Sequence, residues 1–543
     1  MDEKEKSFGQ WSKRFGIVLG FGFLIFFFTF LFYMLFHPFA DKTRGNGQVA
    51  AVALALFLLI LLVTAGILLH HFKKLDQKKI FLLIILASWV LSLAYICYNP
   101  STVRQHDVWG SNEHSEYAFY IYDTGALPPT NNVQFYHPPL NAFLQSTWMH
   151  IMDFIVNLFG LTNYVSTSFQ SGMYSDYNAY RYFLYGSCAI LSCFYRFIES
   201  IFFIKILTLY KTEGKDVTLL ACLACFYPRL NEFSGLLNND PVSFLFSTLA
   251  IYYALRFVKE GKSWYSILMC AITLGLAMMG KLNSAVICLP IGFLFVYEFV
   301  RSCMKKRDSQ KLWVICLQYV SFLVICGTLG LWFQVYVSKR FHQPFGYIYG
   351  QGTNLLDNLY VGDKSFGERF LFPSWSELTG TIFEDPYNNC NLWSSLVKSS
   401  LFDEVWYNSQ NIGAGMVAEI LLYLILLVHF VLFVRYVYLT IRYDYVKKIH
   451  KTTCYDKVED NIFLLLFFLA EFGADLYFNI KMPYGCTMDF RYVMPLIIAY
   501  PLSYLFFFDR SFDEHIPFFK VLMQTEKYMI VGFLVTASLY YLS

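Results

Sequence analysis

Apolar runs of membrane length recur along this chain from end to end, and they restrict its fold more than any other feature. FGIVLGFGFLIFFFTFLFYMLF near the start and IFLLIILASWVLSLAYICY after it are representative. A helix needs about 20 apolar residues to cross ~30 Å of hydrocarbon, and only helices and closed barrels satisfy their backbone there. The runs are continuous rather than alternating, which excludes a β-barrel. The fold class expected is an all-α polytopic membrane protein. Composition agrees: the chain is 57% hydrophobic and only 15% charged, against about 25% charge in a soluble domain. A net charge of +3 with no basic aromatic patch excludes nucleic acid as a partner. The first run is too long for the apolar core of a signal peptide and lacks a small-residue cleavage site, so no cleavable signal is expected.

Hydropathy predicts about 13 transmembrane helices, near 15–36, 49–71, 79–98, 181–209, 216–230, 241–258, 263–280, 284–301, 312–337, 413–438, 461–480, 491–508 and 527–542. The segment 216–230 is the weakest, being short and ending in YPRL, and a re-entrant path is the alternative. Cationic clusters set the orientation. Lys4, Lys6, Lys13 and Arg14 precede the first span, and Lys73, Lys74, Lys78 and Lys79 lie between the second and third. Others gather at Arg256/Lys259/Lys262, Arg301/Lys305/Lys306/Arg307 and Arg442/Lys447/Lys448/Lys451/Lys457. All fall on the side of the N-terminus, which the positive-inside rule makes cytoplasmic. Two large loops, 99–180 and 338–412, then lie on the non-cytoplasmic face. Within the first, PLNAFLQSTWMHIMDFIVNLFG has helical periodicity but carries His150 and Asp153, so it reads as an interfacial helix.

Most of the thirteen cysteines sit inside apolar runs. Cys222 and Cys225 form a CxxC, yet LLACLACFY offers no second pair and no His, and buried Cys behaves as a small hydrophobe. Cys390 and Cys486 fall in loops, and a bridge between them stays open.

The loop faces carry the chemistry. QHDVWGSNEHSEY follows the third span and holds His106, Asp107, Glu113 and Glu116. Partial desolvation at a membrane mouth raises a carboxylate toward the range of a general base; the plain alternative is a solvated loop. QFYHPPLNAFL places Tyr136 and His137 before a stiff Pro-Pro turn, which is also an ordinary helix start. LNNDPVSFLFSTLA sets Asp240 at the start of a span, as a cap or as a second acidic centre. Asp107 and Asp240 could share a divalent cation or divide roles as base and positioner. Lys281 in MMGKLNSA and Arg491 in CTMDFRYVMP lie on the side where the positive-inside rule does not call for cations. Such groups can grip a phosphate, although Arg491 could instead pair with Asp489 or snorkel. Glu471 and Asp475 lie within a span, where acids are costly and default to a paired or functional role.

This series of motifs, an HD after an early span, QFYHPPL, NND-P opening a span, GK-N-S and a late DFRYVMP, resembles the C-type membrane glycosyltransferases, and among them bacterial relatives of the protein O-mannosyltransferases. The resemblance covers roughly 79–510 and leaves 1–78 as two additional N-terminal helices and 511–543 as a C-terminal helix. It implies a polyprenyl-phosphate sugar donor and a cell-envelope glycan, lipid or protein acceptor. It also implies transfer on the outer face of a bacterial plasma membrane. It places the catalytic carboxylate at Asp107, with Glu113 or Glu116 as the second acid, because the family's adjacent acid pair is here Asp107–Val108. His106, Tyr136, His137, Asp240, Lys281 and Arg491 then fall to substrate binding, the last two suiting the lipid phosphate. No cofactor is implied with certainty, and a divalent cation stays open. A transporter or flippase of lipid-linked sugars is the rival reading, with Glu471 and Asp475 as a proton relay, but it predicts an inverted repeat that the sequence does not show. A non-catalytic scaffold would leave the acids and cations of one face unexplained.

Overall fold

The computed structural model describes residues 3–36, 46–98, 113–161, 179–304, 312–347, 359–379, 389–402, 412–450, 458–508 and 517–541. Asp107 and His106 lie outside the described residues. The described elements are helices, apart from one isolated bridge between Tyr360 and Tyr484. In chain order the α-helices are α1 (Glu3–Phe36), α2 (Asn46–His71), α3 (Gln77–Tyr98), α4 (His114–Thr124), α5 (Leu140–Leu158), α6 (Ala179–Gly186) and α7 (Ala189–Thr208). Then come α8 (Lys215–Phe226), α9 (Pro228–Phe233), α10 (Asp240–Lys259), α11 (Trp264–Gly280), α12 (Cys288–Met304), α13 (Leu312–Phe341), α14 (Phe366–Phe370) and α15 (Trp375–Thr379). The last are α16 (Leu392–Phe402), α17 (Ile412–His450), α18 (Val458–Lys481), α19 (Leu496–Phe508) and α20 (Pro517–Tyr541).

Each expected span overlaps one of these helices, but eight among the described residues are long and apolar enough to cross a membrane. Seven lie in α1, α2, α3, α10, α13, α17 and α18, and the eighth, Leu282–Cys303, runs from a 3-10 turn into α12. The other expected spans differ for physical reasons. The stretch 181–209 is broken between α6 and α7, and α7 carries Arg196, Glu199 and Lys205. Helix α20 carries Lys520, Glu526 and Lys527. Helix α11 has 17 residues and α19 has 13, with Pro501 inside it. The stretch 216–230 does not continue as one helix. Helix α8 ends after 12 residues because Pro228 forces Tyr227 into extended backbone (φ −60°, ψ 129°). At 1.5 Å per residue it is far too short to span.

The most buried span opens at Asp240: the Asp240–Lys259 window is 78% buried, against 6% for Val49–His71. Helix α2 therefore lies at the edge of the bundle against α3, while α10 sits inside it, packed on α11, which in turn packs on α13. Glycines permit this contact. A Cβ at Gly275 would stand 2.7 Å from Leu329 Cβ, and one at Gly280 would stand 2.9 Å from Ser243 Cα on α10. At Gly280 the obstacle is backbone, which cannot rotate away. Gly280→Ala should cost about 1–3 kcal/mol through overpacking, read as a lower unfolding temperature of the purified protein; unaltered melting would refute the close approach.

Helix α5 is the segment expected as an interfacial helix. Trp148, Met149, Met152 and Val156 are buried, while Phe143, Ile151, Phe154 and Leu158 are exposed along the opposite stripe. No disulfide joins Cys390 and Cys486. Cys222 and Cys225 are free and lie in α8, as expected for small hydrophobes.

Candidate active site

The NND turn is the node of the site. Asn238 Oδ1 accepts from the Asp240 backbone N–H at 3.1 Å, and Asp240 and Pro241 form the first turn of α10. Pro lacks the N–H that a first turn leaves unpaired, and a carboxylate there is stabilised by the helix dipole. Asp240 is 4% exposed. Its Oδ1 takes a 2.5 Å ion pair from Lys281 Nζ, and its Oδ2 lies 3.9 Å from Arg491 Nη1. The two cations singled out by their position thus converge on one carboxylate, although 210 and 41 residues separate them from each other and from Asp240 as the chain runs from 281 to 491 and from 240 to 281. Both also address the ring of Tyr492: Lys281 Nζ is 4.6 Å and Arg491 Cζ 5.3 Å from its centroid.

Local chain geometry delivers them. Helix α11 stops at Gly280, Lys281 is extended (φ −152°, ψ 128°), and a 3-10 turn, Leu282–Ile287, leads into α12. Arg491 sits on a second 3-10 turn, Phe490–Val493, whose N-cap Asp489 accepts from the Arg491 backbone N–H at 2.6 Å.

The Asp489 carboxylate is gripped by Arg229, which reaches both oxygens at 2.8 and 2.9 Å. Arg229 also donates to Glu232 Oε2 at 2.6 Å, and all three side chains are buried. Arg229 stands directly after the Pro228 break, so the interruption of the expected span 216–230 serves to place a cation. Helix α16 supports the same turn: Ser399 Oγ accepts from the Phe490 N–H at 2.8 Å, and the Tyr227 hydroxyl donates to Ser400 Oγ at 3.0 Å. The rings of Tyr227 and Phe490 stack 6.0 Å apart.

The QFYHPPL segment docks onto the NND turn. Asn141 donates to the carbonyls of Leu237 and Asn238, at 3.2 and 2.9 Å, and Gln145 donates to Leu237 O. His137 Nδ1 lies 3.3 Å from Asn239 Nδ2, and its ring is 5.2 Å from that of His114. The Tyr117 hydroxyl donates to His137 O at 3.2 Å, and burial pushes that phenol well above its usual range, keeping it a donor. Glu113 is the N-cap of α4 and Glu116 lies in its first turn, either side of buried His114 and Ser115. Tyr136 packs against Tyr347 and His137 rather than on the ion cluster.

A small pocket opens beside the cluster. Its lining includes Asp240, Arg491 and Tyr492, the polar side chains Ser243, Ser247, Asn283 and Ser284, and Phe233, Phe244 and Glu471. The Asp240 carboxylate, a candidate cation ligand together with Asp107, carries Lys281. Among the described residues no group of three or more His, Cys, Asp or Glu side chains is placed to hold a metal ion. The sequence reading did not single out Arg229, Glu232, Asn141, Gln145, Tyr492 or the three serines. A cation immediately after a Pro inside an apolar run was the one signal available, for Arg229.

Residues 187–326, which contain Arg229, Asp240, Lys281 and Ser284, match the family of dolichyl-phosphate-mannose-protein mannosyltransferases. The match supports a C-type membrane glycosyltransferase. No curated protein matches the chain. Among solved structures, ArnT from Cupriavidus metallidurans, crystallised with undecaprenyl phosphate, is similar over 78% of this chain and 76% of that one. The identity is 11% and the TM-score 0.33, too loose a likeness to equate residues.

Proposed function

We propose that this protein moves a sugar from a polyprenyl-phosphate-linked donor to a hydroxyl acceptor. The observation that carries the reading is the convergence of Lys281 and Arg491 on Asp240 beside a pocket set among membrane-length helices. A lipid-linked donor keeps its chain in the bilayer and presents a phosphate at such a place. Lys281 meets it as a point charge and Arg491 as a bidentate fork. Asp240 holds both cations in position, and the Arg229–Asp489 pair holds the turn from which Arg491 projects.

The reaction is a direct displacement. A carboxylate, assigned to Asp107 by the family resemblance, takes the proton of the acceptor hydroxyl. The acceptor oxygen bonds to the anomeric carbon as the bond from that carbon to the phosphate oxygen breaks, which inverts the centre. The lipid phosphate leaves with the bonding electrons, and its charge is met by Lys281 and Arg491, the kind of stabilisation that usually contributes most. Glu113 and Glu116 remain second acids of the same loop, and the resemblance gives His106 and His137 to substrate binding. The same reading puts the reaction on the outer face of a bacterial plasma membrane, with the N-terminus cytoplasmic, and takes the acceptor from the cell envelope.

Arg491→Ala should weaken binding of a polyprenyl-phosphate sugar roughly 10- to 100-fold, as expected for lost charge-assisted hydrogen bonds, and Arg491→Lys should recover only part of it. Binding to purified protein in detergent is the measurement. Unchanged affinity in Arg491→Ala would remove the phosphate role and, with it, the main support for a lipid-phosphate donor.

A further inference from the structure

Glu471 is the unexplained group of the pocket. It stands near the middle of the span Asp460–Lys481, about 15 Å from either end at 1.5 Å per residue. Acids at such depth are costly and persist where they have a partner or a task. Glu471 is 3% exposed, lines the pocket, and its Oε1 makes no hydrogen bond within the protein.

A second observation points to the same ligand chemistry. Ser243 donates to Ala277 O at 3.2 Å, which uses its one proton. Ser284 Oγ lies 2.5 Å from Ser243 Oγ, and Ser247 donates to Ser284 at 3.2 Å. Ser247 has spent its proton and offers only lone pairs to the pocket. Glu471 and Ser247 both present acceptors, so the matching ligand brings several O–H donors. Phe244 and Tyr492 supply aromatic walls for its C–H faces.

We infer that Glu471 and Ser247 form the subsite that reads the hydroxyl groups of the donor sugar, next to the phosphate contacts at Lys281 and Arg491. The inference rests on the donor reading proposed above and adds residues that discriminate between sugars. A site built to accept hydroxyl protons rejects analogues that lack them far more strongly than an apolar pocket can.

The test compares two probes, polyprenyl phosphate alone and the same lipid phosphate carrying mannose, glucose or galactose. Glu471→Leu removes both acceptors, and Leu inserts readily at mid-span, so folding is retained. Affinity for the best sugar-linked probe should fall roughly 10- to 100-fold in Glu471→Leu and less in Ser247→Ala, while affinity for bare polyprenyl phosphate stays at the wild-type level. The order of preference among the three sugars should also flatten. Equal losses for both probes would assign Glu471 to structure or to the phosphate and overturn the subsite. Unchanged sugar-probe affinity in both variants would overturn it too, with the donor reading intact if Arg491→Ala still loses the bare lipid phosphate. Wild-type protein that binds neither probe would overturn the donor reading and the subsite together.

Discussion

Asp107→Asn is expected to lower sugar transfer by about 10²–10⁴-fold, the usual loss on removing a general base, while donor affinity is kept. The variant preserves shape but cannot take the acceptor proton. Donor binding survives because the groups proposed for the phosphate, Lys281 and Arg491, lie on other segments and are held by Asp240 and by the Asp489 turn. Glu113→Gln and Glu116→Gln are the controls, each expected to lose less. Single-turnover transfer from a polyprenyl-phosphate sugar to a hydroxyl acceptor separates the outcomes. Normal turnover in Asp107→Asn with a dead Glu116→Gln would move the base within the loop. Full activity in all three would leave QHDVWGSNEHSEY as a solvated loop without a catalytic task.

Arg229→Ala should destabilise the protein by about 3–5 kcal/mol, the cost of stranding a buried charge by removing its partner. Arg229 is bonded to Asp489 and Glu232, and the exposure of these side chains is 0–1%. Without it two carboxylates remain in the bundle with no fork to satisfy them. Arg229→Lys restores the charge but reaches the carboxylates with one point rather than a planar fork, so it should recover part of the loss. The same variant should weaken donor binding, because Asp489 also caps the turn carrying Arg491. Thermal unfolding in detergent, followed by donor binding at a temperature where the variant is folded, measures both. An Arg229→Ala protein that melts with the wild type would show that the triad contributes nothing to holding the turn.

Much of the architecture was legible in the chain because the bilayer reduces folding to a simple question of length and polarity. The expected spans near 49–71, 79–98, 312–337 and 413–438 each meet a helix long and apolar enough to cross. The exceptions are informative. The 216–230 segment carries enough apolar residues to resemble a span, but Pro228 divides it, and hydropathy averages do not register a broken backbone. Residues 181–209 and 491–508 fail in the same way, at the α6–α7 break and at the 3-10 turn before α19. Two of these breaks carry site residues: Arg229 follows Pro228, and Arg491 sits on the 3-10 turn before α19.

The sequence by itself determined that this is a helical membrane protein, that Asp240, Lys281 and Arg491 are polar groups out of keeping with their apolar surroundings, and that Glu471 needs a reason to be where it is. Local composition carries those facts, since the cost of a charge near hydrocarbon is a property of the residue and its neighbours in the chain. Only the tertiary structure decided that the two cations share the Asp240 carboxylate, that Arg229 grips Asp489, and that Ser247, Ser284 and Glu471 face one pocket. These partners are separated by 37 to 260 positions in sequence. An ion pair or a hydrogen bond is fixed by position to within a few tenths of an ångström, and that precision arises from helix packing such as Gly280 against Ser243, which no periodicity along the chain encodes.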